Sequence, residues 1–164
     1  MKPITIIIKQ VIDNDFESLQ TFFAHIIHST YIMLLAPNEL EEELQTVPEQ
    51  FHRMWSQRYY PGVYLSAAWD GPDIVGFIFM RAIDRRTLFL DYLFVSQSHQ
   101  RQGIAQQLQD NALKALLLTH PDIQVIQLKV YKTNTNAVEY YLRRGFSIIS
   151  ESEKRFTMEK REPF

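Results

Sequence analysis

Hydrophobic residues recur along the chain at two spacings, one typical of strands and one typical of helices. An apolar run over residues 4–8, ended by Lys9, predicts a first strand. A helical pattern follows and predicts a first helix over roughly residues 15 to 29, with Asn14 as its N-cap and Glu17 as the capping-box partner. A second helical pattern runs from Leu40 to Trp55 and contains Pro48, so we expect a broken or kinked second helix.

The middle of the chain has the composition of strands. Residues 63–69 and 74–81 are rich in β-branched and aromatic residues, and the turn-forming residues 70–73 between them predict a hairpin. Residues 87–95 are almost continuously apolar apart from Asp91, which is typical of a central strand covered on both faces.

The second half continues with alternating elements. The pattern predicts a helix after residue 103, a strand over residues 124–130, a helix over about residues 136 to 143, and a terminal hairpin of residues 146–150 and 155–159. The strand, helix and strand between residues 87 and 130 form a crossover, so we expect those two strands to be parallel neighbours and the others to pair as hairpins. With no repeat or linker, residues 1–164 are expected to form one mixed α/β (α+β) domain.

Composition excludes several classes of protein. The formal net charge of −2 and the lack of a long basic run make nucleic acid a poor candidate partner. With no cysteine there is no disulfide, thiolate zinc ligand or cysteine nucleophile. The first apolar run is too short for a signal-peptide core or a membrane span, so we expect no membrane partner and a cytoplasmic location.

A polar loop before the predicted helix has the features of an anion site. The segment Gln100, Arg101, Gln102, Gly103, Ile104 and Ala105 follows the central strand, where the first amides of a helix lack partners and carry the positive end of its dipole. Gly103 would let an anionic ligand approach the backbone, and Ala105 keeps the next turn small. From these residues alone, a glycine that merely starts a helix is an equally good interpretation.

Two motifs resemble those of one family. Residues 100–105 match the Q/R-x-x-G-x-G/A motif of the GNAT superfamily of acyl-CoA-dependent N-acyltransferases. Downstream, Asn134, Ala137, Tyr141, Gly145 and Phe146 reproduce that family's N-x-x-A-x-x-x-Y-x-x-x-G-F spacing. The motif-bearing resemblance covers about residues 87 to 150, and the order of the earlier elements agrees with it.

The resemblance implies a fold, a cosubstrate and a set of roles. It implies a mostly antiparallel twisted sheet with a central parallel pair and helices on both faces, and acetyl-CoA as acyl donor. Residues 100–105 would hold the pyrophosphate, and Val95, through its backbone, and Asn134 would contact the coenzyme. Tyr141 would protonate the departing thiolate after direct attack by a neutral amine, although a tyrosine that only packs its helix is the alternative.

The base that accepts the amine proton is less clear from the sequence. The positions where many members of the family carry an acid hold Phe89 and Lys129. Period-two counting places Asp91 on the same strand face as Phe89, Leu93 and Val95, which makes it the candidate base. A structural carboxylate at a hydrogen-bonded strand position is the alternative.

The acceptor is expected to be a primary amine of a small molecule or a protein. An acidic run of Glu39, Glu41, Glu42 and Glu43 is able to attract a cation, although a solvated helix face is the simpler interpretation. His25 and His28 lack further ligands at suitable spacing, so no metal is assigned. A second copy of the chain, forming a homodimer, is a possible partner. A non-catalytic acyl-CoA-binding domain and an interaction module are the competing functions.

Overall fold

The fold is given by a computed structural model that describes residues 5–164. Its strands are β1 (Ile6–Gln10), β2 (Val63–Asp70), β3 (Asp73–Ala82), β4 (Thr87–Val95), β5 (Val125–Tyr131), β6 (Ser147–Glu151) and β7 (Arg155–Arg161). Its helices are α1 (Phe16–Tyr31), α2 (Pro37–Gln45), α3 (Val47–Ser56), α4 (Ile104–Thr119) and α5 (Thr135–Arg143). Short 3-10 turns precede α1 and α4.

The strands form a seven-stranded sheet in the order β1-β2-β3-β4-β5-β7-β6. Every neighbouring pair is antiparallel except β4 and β5, which are parallel as the crossover predicts. One face packs against α4 and α5 around Leu88 and Leu108. The other face packs against α1 and α3 around Phe23 and Phe77. The predicted mixed sheet with helices on both faces is therefore confirmed.

The first strand is longer at its C-terminal end than predicted. Lys9 does not end it, because the strand continues to Gln10, which pairs with Ser66 of β2. The Lys9 ammonium lies 4.9 Å from the centre of the Trp69 ring, a cation-π contact that accommodates a charge on this edge strand. Residue 4 of the predicted strand lies outside the described residues.

The predicted N-cap of the first helix is wrong. Asn14 lies within a 3-10 turn, Asp13–Asp15, and α1 begins one residue later, at Phe16. The carboxylate of Asp15 accepts a hydrogen bond from the Ile12 amide at 2.9 Å, so it closes this turn. Asp15 competes successfully for the local amide because acidic side chains bind nearby backbone as readily as asparagine does.

The break predicted at Pro48 is confirmed. Helix α2 ends at Gln45, and α3 begins at Val47 with Pro48 in its first turn, where a missing amide hydrogen costs nothing. This break lets α3 place Phe51 and Met54 in the core while α2 has no buried residue. No helix among residues 5–164 is long and apolar enough to span a membrane.

Candidate active site

The site is built around a gap in the centre of the sheet. Strands β4 and β5 pair from Thr87 and Val125 only as far as Leu90 and Leu128, although both strands continue beyond these residues. Beyond that point, the edges of the two strands that face each other have no ladder partner. Buried backbone groups need hydrogen-bond partners, so this gap is suited to a ligand that carries amide groups.

The β4 edge of the gap presents backbone groups of Val95 that have no partner in the sheet. The Ser96 amide donates to the Val75 carbonyl at 2.8 Å, which makes Val95 and Gly76 a non-hydrogen-bonded pair of the antiparallel ladder. The amide and carbonyl of Val95 therefore point away from β3 and into the gap. The carbonyl accepts a hydrogen bond from the Gln100 side chain at 3.2 Å, which joins this edge to the loop that follows.

That loop, residues 100–105, presents a row of amides and is called the amide loop below. Arg101 and Gly103 both adopt left-handed backbone conformations, with φ of 63° and 78°. Among residues 5–164, no protein group accepts a hydrogen bond from the amides of residues 101–106. A pyrophosphate accepts hydrogen bonds and carries negative charge. The unpaired amides at the start of α4 supply the donors, and the positive end of the helix dipole favours the charge.

Gly103 is required by the backbone rather than by packing. A Cβ at this position would have no heavy atom within 4 Å, so a side chain there would enter open space. Behind the loop, Ile104 and Leu108 are buried and hold α4 against the sheet. The left-handed conformation of Arg101 was not predicted from the sequence, and no residue-type signal marks it because non-glycine residues adopt it only occasionally.

A cavity of about 340 Å³ occupies the gap and is lined by residues from the helical layers on both faces of the sheet. Asn134, Ala137 and Tyr141 line it at α5. At α1, α2 and α3 it is lined by Tyr31, Glu43, Gln50 and Arg53. Asp91, Tyr92, Lys129, Tyr131 and Arg155 complete the polar part of its wall.

Tyr141 lies where the family resemblance requires an acid. Its side chain is 8 % exposed and packs against Tyr140 and Phe146, with ring centres 5.2 and 5.4 Å apart. Burial raises the pKa of its phenol above the ordinary value, so the hydroxyl keeps its proton throughout the neutral range. Tyr140, in contrast, hydrogen-bonds Gln109 at 3.2 Å and does not line the cavity.

Asn134 has a structural role that the motif does not reveal. Its side-chain oxygen accepts a hydrogen bond from the Ala137 amide at 3.2 Å and caps α5. The cap fixes the first turn of the helix that carries Tyr141 into the cavity. Contact of Asn134 with the coenzyme stays a prediction.

The strand face predicted for Asp91 is partly wrong. Phe79 pairs with Tyr92 but Met80 pairs with Leu90, so Asp91 is the extra residue of a β-bulge in β4. The bulge shifts the alternation, and Leu93 and Val95 pack toward α4 while Tyr92 packs toward α1. Asp91 therefore lies on the side of Phe89 and Arg81, not on that of Leu93 and Val95.

The Asp91 carboxylate lines the cavity but is held by an arginine. Arg81 donates to its two oxygens at 2.8 and 3.2 Å, and the carboxylate side chain is only 19 % exposed. Burial raises the pKa of Asp91 above its ordinary value, although the Arg81 guanidinium opposes this shift. The pair leaves further lone pairs on each carboxylate oxygen, so a base role and a structural role are both compatible with this geometry.

Of the other residues considered from the sequence, one lies at the cavity and the rest lie away from it or on the surface. Of the acidic run, Glu43 lines the cavity, Glu39 pairs with Lys154 at 3.2 Å, and Glu41 and Glu42 are exposed. His25 and His28 are exposed on α1. No group of three or more metal-ligating side chains is present among residues 5–164.

Several cavity residues carried no sequence signal. Burial raises the pKa of the Tyr92 phenol to about 12, and its hydroxyl donates to the Gln50 side chain at 3.1 Å. Tyr31 and Tyr131 meet edge to face with ring centres 5.3 Å apart. These contacts join α1, α3, β4 and β5, so no local pattern could have indicated them.

The sequence matches the model of the acetyltransferase (GNAT) family over residues 28–146. The chain belongs to the GNAT acetyltransferase family. The match confirms the resemblance drawn from the two motifs and extends it toward the N-terminus as far as α1. No protein with a curated description matches the chain in sequence.

Solved structures share the GNAT fold at low sequence identity. The PaiA N-acetyltransferase of Thermoplasma acidophilum, solved with coenzyme A, is 19% identical with a TM-score of 0.81, over 96% of this chain and 99% of that chain. A GNAT acetyltransferase from Staphylococcus aureus is 17% identical with a TM-score of 0.74, over 96% and 99%. An acetyltransferase from Thermus thermophilus is 17% identical with a TM-score of 0.72, over 98% and 99%.

Membership of the GNAT family gives the general activity. The chain is an acetyltransferase that uses acetyl-CoA as acyl donor and therefore acts on an acceptor. This supports acetyl transfer rather than a non-catalytic acyl-CoA-binding domain.

Proposed function

We propose that this acetyltransferase moves the acetyl group of acetyl-CoA to the nitrogen of a primary amine, by direct attack within a ternary complex. The observation that carries the proposal is the cavity in the β4–β5 gap, which is lined by Tyr141 on one face of the sheet and by a polar wall on the other. A single cavity bounded by both layers would let an acyl donor and an acceptor meet in the gap without a covalent enzyme intermediate. The absence of cysteine agrees with this route.

The donor side of the proposal uses backbone groups. The amide loop, from Gln100 to Ala105, holds the pyrophosphate of acetyl-CoA, and the Val95 amide, together with the remaining lone pair of its carbonyl, binds the pantetheine arm. Unpaired amides at a helix start and an unpaired strand edge support this assignment, because both supply fixed donors without a cost in side-chain entropy.

Tyr141 is the proposed acid. As the carbon–sulfur bond breaks, its phenol donates a proton to the leaving thiolate; the phenol is fully protonated at neutral pH, and the burial that raises its pKa also makes it a weaker acid. Its position on α5, fixed by the Asn134 cap and by Phe146, supports this role.

Asp91 is the proposed base, acting directly or through water. An alkyl amine has a pKa near that of lysine, about 10.4, so about one molecule in a thousand or fewer is nucleophilic at neutral pH. A group in the cavity must therefore take the second proton. The raised pKa of Asp91 suits this task, while its ion pair with Arg81 supports the structural alternative.

The proposal takes residues 1–164 as one catalytic domain, because one sheet and its two helical layers carry every group that it uses. A small-molecule amine or a protein amine is the acceptor, and the cytoplasm, where acetyl-CoA is available, is the proposed location. A homodimer stays a prediction.

A panel of amines incubated with acetyl-CoA tests the proposed function. We expect release of free thiol that depends on the amine, together with an equal amount of N-acetylated product. Thiol release with an alcohol acceptor, or with water alone at the same rate, would contradict transfer to nitrogen.

A further inference from the structure

Arg155 lies in the wall of the cavity, where no carboxylate of the described residues is within ion-pair distance, and Glu43 attracts it from farther away. Its guanidinium donates to the Tyr131 hydroxyl at 2.7 Å and lies 4.4 Å from the centre of the same ring. The ion pairs among residues 5–164 do not include it. Because a guanidinium has five N–H donors, one contact with a phenol leaves most of its hydrogen-bonding capacity unused.

Two phenols fix the position of this guanidinium. Tyr131 holds it from one side, and Tyr31 packs edge to face on Tyr131. Burial raises the pKa of Tyr31, so its hydroxyl is a neutral donor at neutral pH. A fixed arginine with a neighbouring phenol is a suitable arrangement for a carboxylate, which accepts two parallel N–H bonds.

The charges on the cavity wall also favour a ligand that carries a carboxylate. Within the part of the chain that the structure describes, Arg53, Lys129 and Arg155 line the cavity without an ion-pair partner, and Glu43 is the one lining carboxylate without such a partner. Asp91 is neutralised by Arg81. With three free cations and one free anion, the wall repels an acceptor that carries only positive charge.

We infer that the acceptor is a small aminocarboxylate, whose carboxylate binds the guanidinium of Arg155 while its amine faces the β4–β5 gap. This inference rests on the proposed N-acetyltransferase function and narrows its substrate class. Glu43 supplies the single free negative charge on the same wall and is able to attract the ammonium form of the acceptor before the amine loses its proton. A polyamine offers Arg155 no counter-charge.

Matched acceptors test this inference in the wild-type protein. Three amino acids, L-phenylalanine, L-leucine and L-lysine, are compared with their decarboxylated amines and with their carboxamides, with kcat/KM corrected for the fraction of free amine. We expect each amino acid to exceed its decarboxylated amine by about tenfold or more, as a charge-assisted bidentate contact provides. Equal or better turnover of the decarboxylated amines would overturn the inference and leave the proposed function intact.

Variants of two arginines on β7 locate the effect. Arg155→Gln is expected to raise KM for the amino acids by about 10- to 100-fold while leaving KM for the decarboxylated amines unchanged. Arg155→Lys keeps the positive charge but not the planar guanidinium that donates two parallel hydrogen bonds. Its KM for the amino acids should therefore lie between that of Arg155→Gln and that of the wild type. Arg161→Gln is the control, because Arg161 is on the same strand, exposed, and paired with Glu159.

The outcomes separate this inference from the proposed function. A loss in Arg155→Gln that is equal for amino acids and decarboxylated amines would show a role in folding or in catalysis and would overturn the inference. Carboxamides that match the amino acids would indicate a peptide N-terminus as acceptor and would overturn it too. If no amine in any class is acetylated, the proposed function fails, and the inference fails with it.

Discussion

A single charge placed at Gly103 should weaken binding of acetyl-CoA. Asparagine and aspartate have the same shape, and both tolerate the left-handed backbone that Gly103 adopts at φ of 78°. Either side chain would enter open space, since a Cβ at this position has no heavy atom within 4 Å. The comparison of Gly103→Asp with Gly103→Asn therefore isolates one negative charge from strain and bulk.

The expected magnitude follows from the separation that the proposed pyrophosphate site implies for the introduced carboxylate and the nearest phosphate, about 5 Å. A carboxylate and a phosphate about 5 Å apart repel each other by about 1 to 3 kcal/mol for an effective dielectric constant between about 80 and 20. We therefore expect Gly103→Asp to bind acetyl-CoA at least about tenfold more weakly than Gly103→Asn, with a smaller difference at high salt because exposed charges are screened.

Isothermal titration calorimetry of the folded variants measures this difference. Gly71 provides the control, since it has φ of 57°, lies in the β2–β3 turn and also has open space around a built Cβ. Gly71→Asp and Gly71→Asn should bind acetyl-CoA equally. The same affinity for Gly103→Asp and Gly103→Asn would refute the pyrophosphate site.

The remaining predictions concern catalysis and stability. Tyr141→Phe should lower kcat by about 10² to 10⁴ with nearly unchanged affinity for acetyl-CoA, because a proton donor acts mainly in the transition state; an equal loss of affinity would indicate packing. Asp91→Asn should lower kcat/KM by about 10² to 10⁴ at pH 7 and recover at higher pH, where the amine loses its proton unaided. A base is active when deprotonated, so wild-type kcat/KM should fall as pH drops through the raised pKa of Asp91. Wild-type rates of Asp91→Asn at every pH would exclude Asp91 as the base. Leu108→Ala, at a fully buried site, should lower the free energy of unfolding by about 2 to 5 kcal/mol in urea titrations; an unchanged value would contradict the packing of α4.

The fold could be predicted where its signals are local or follow from chain connectivity. The apolar run of β4 has the same bounds in the structure as in the sequence pattern, and the crossover through α4 required β5 to be its parallel neighbour. Pro48 marked the break between α2 and α3 because a proline without an amide hydrogen is tolerated in a first turn.

The errors arose where another strand or a competing side chain decides the outcome. The bulge at Asp91 exists only in the pairing of β4 with β3, so period-two counting along β4 alone placed its carboxylate beside Leu93 and Val95. At α1, Asp15 rather than Asn14 bonds the backbone, and residue type does not separate two neighbouring residues that are both able to cap.

The two sides of the candidate site differ in the same way. The amide loop and Tyr141 each belong to a short sequence motif, so the sequence alone was enough to predict them as site residues. The contacts of Arg155 with Tyr131 and of Tyr131 with Tyr31 bring together β7, β5 and α1, and no spacing along the chain encodes them.

Acetyl transfer to nitrogen in a ternary complex is tested most directly by the identity and amount of the product. The protein is incubated with acetyl-CoA, first alone and then with an accepted amine, while free thiol is followed and the acetylated atom is identified by NMR. The account predicts no thiol burst and no acetylated protein without the amine, and one N-acetylated product for each thiol released in its presence. A stoichiometric burst with acetylated protein, or acetylation at oxygen, would contradict it.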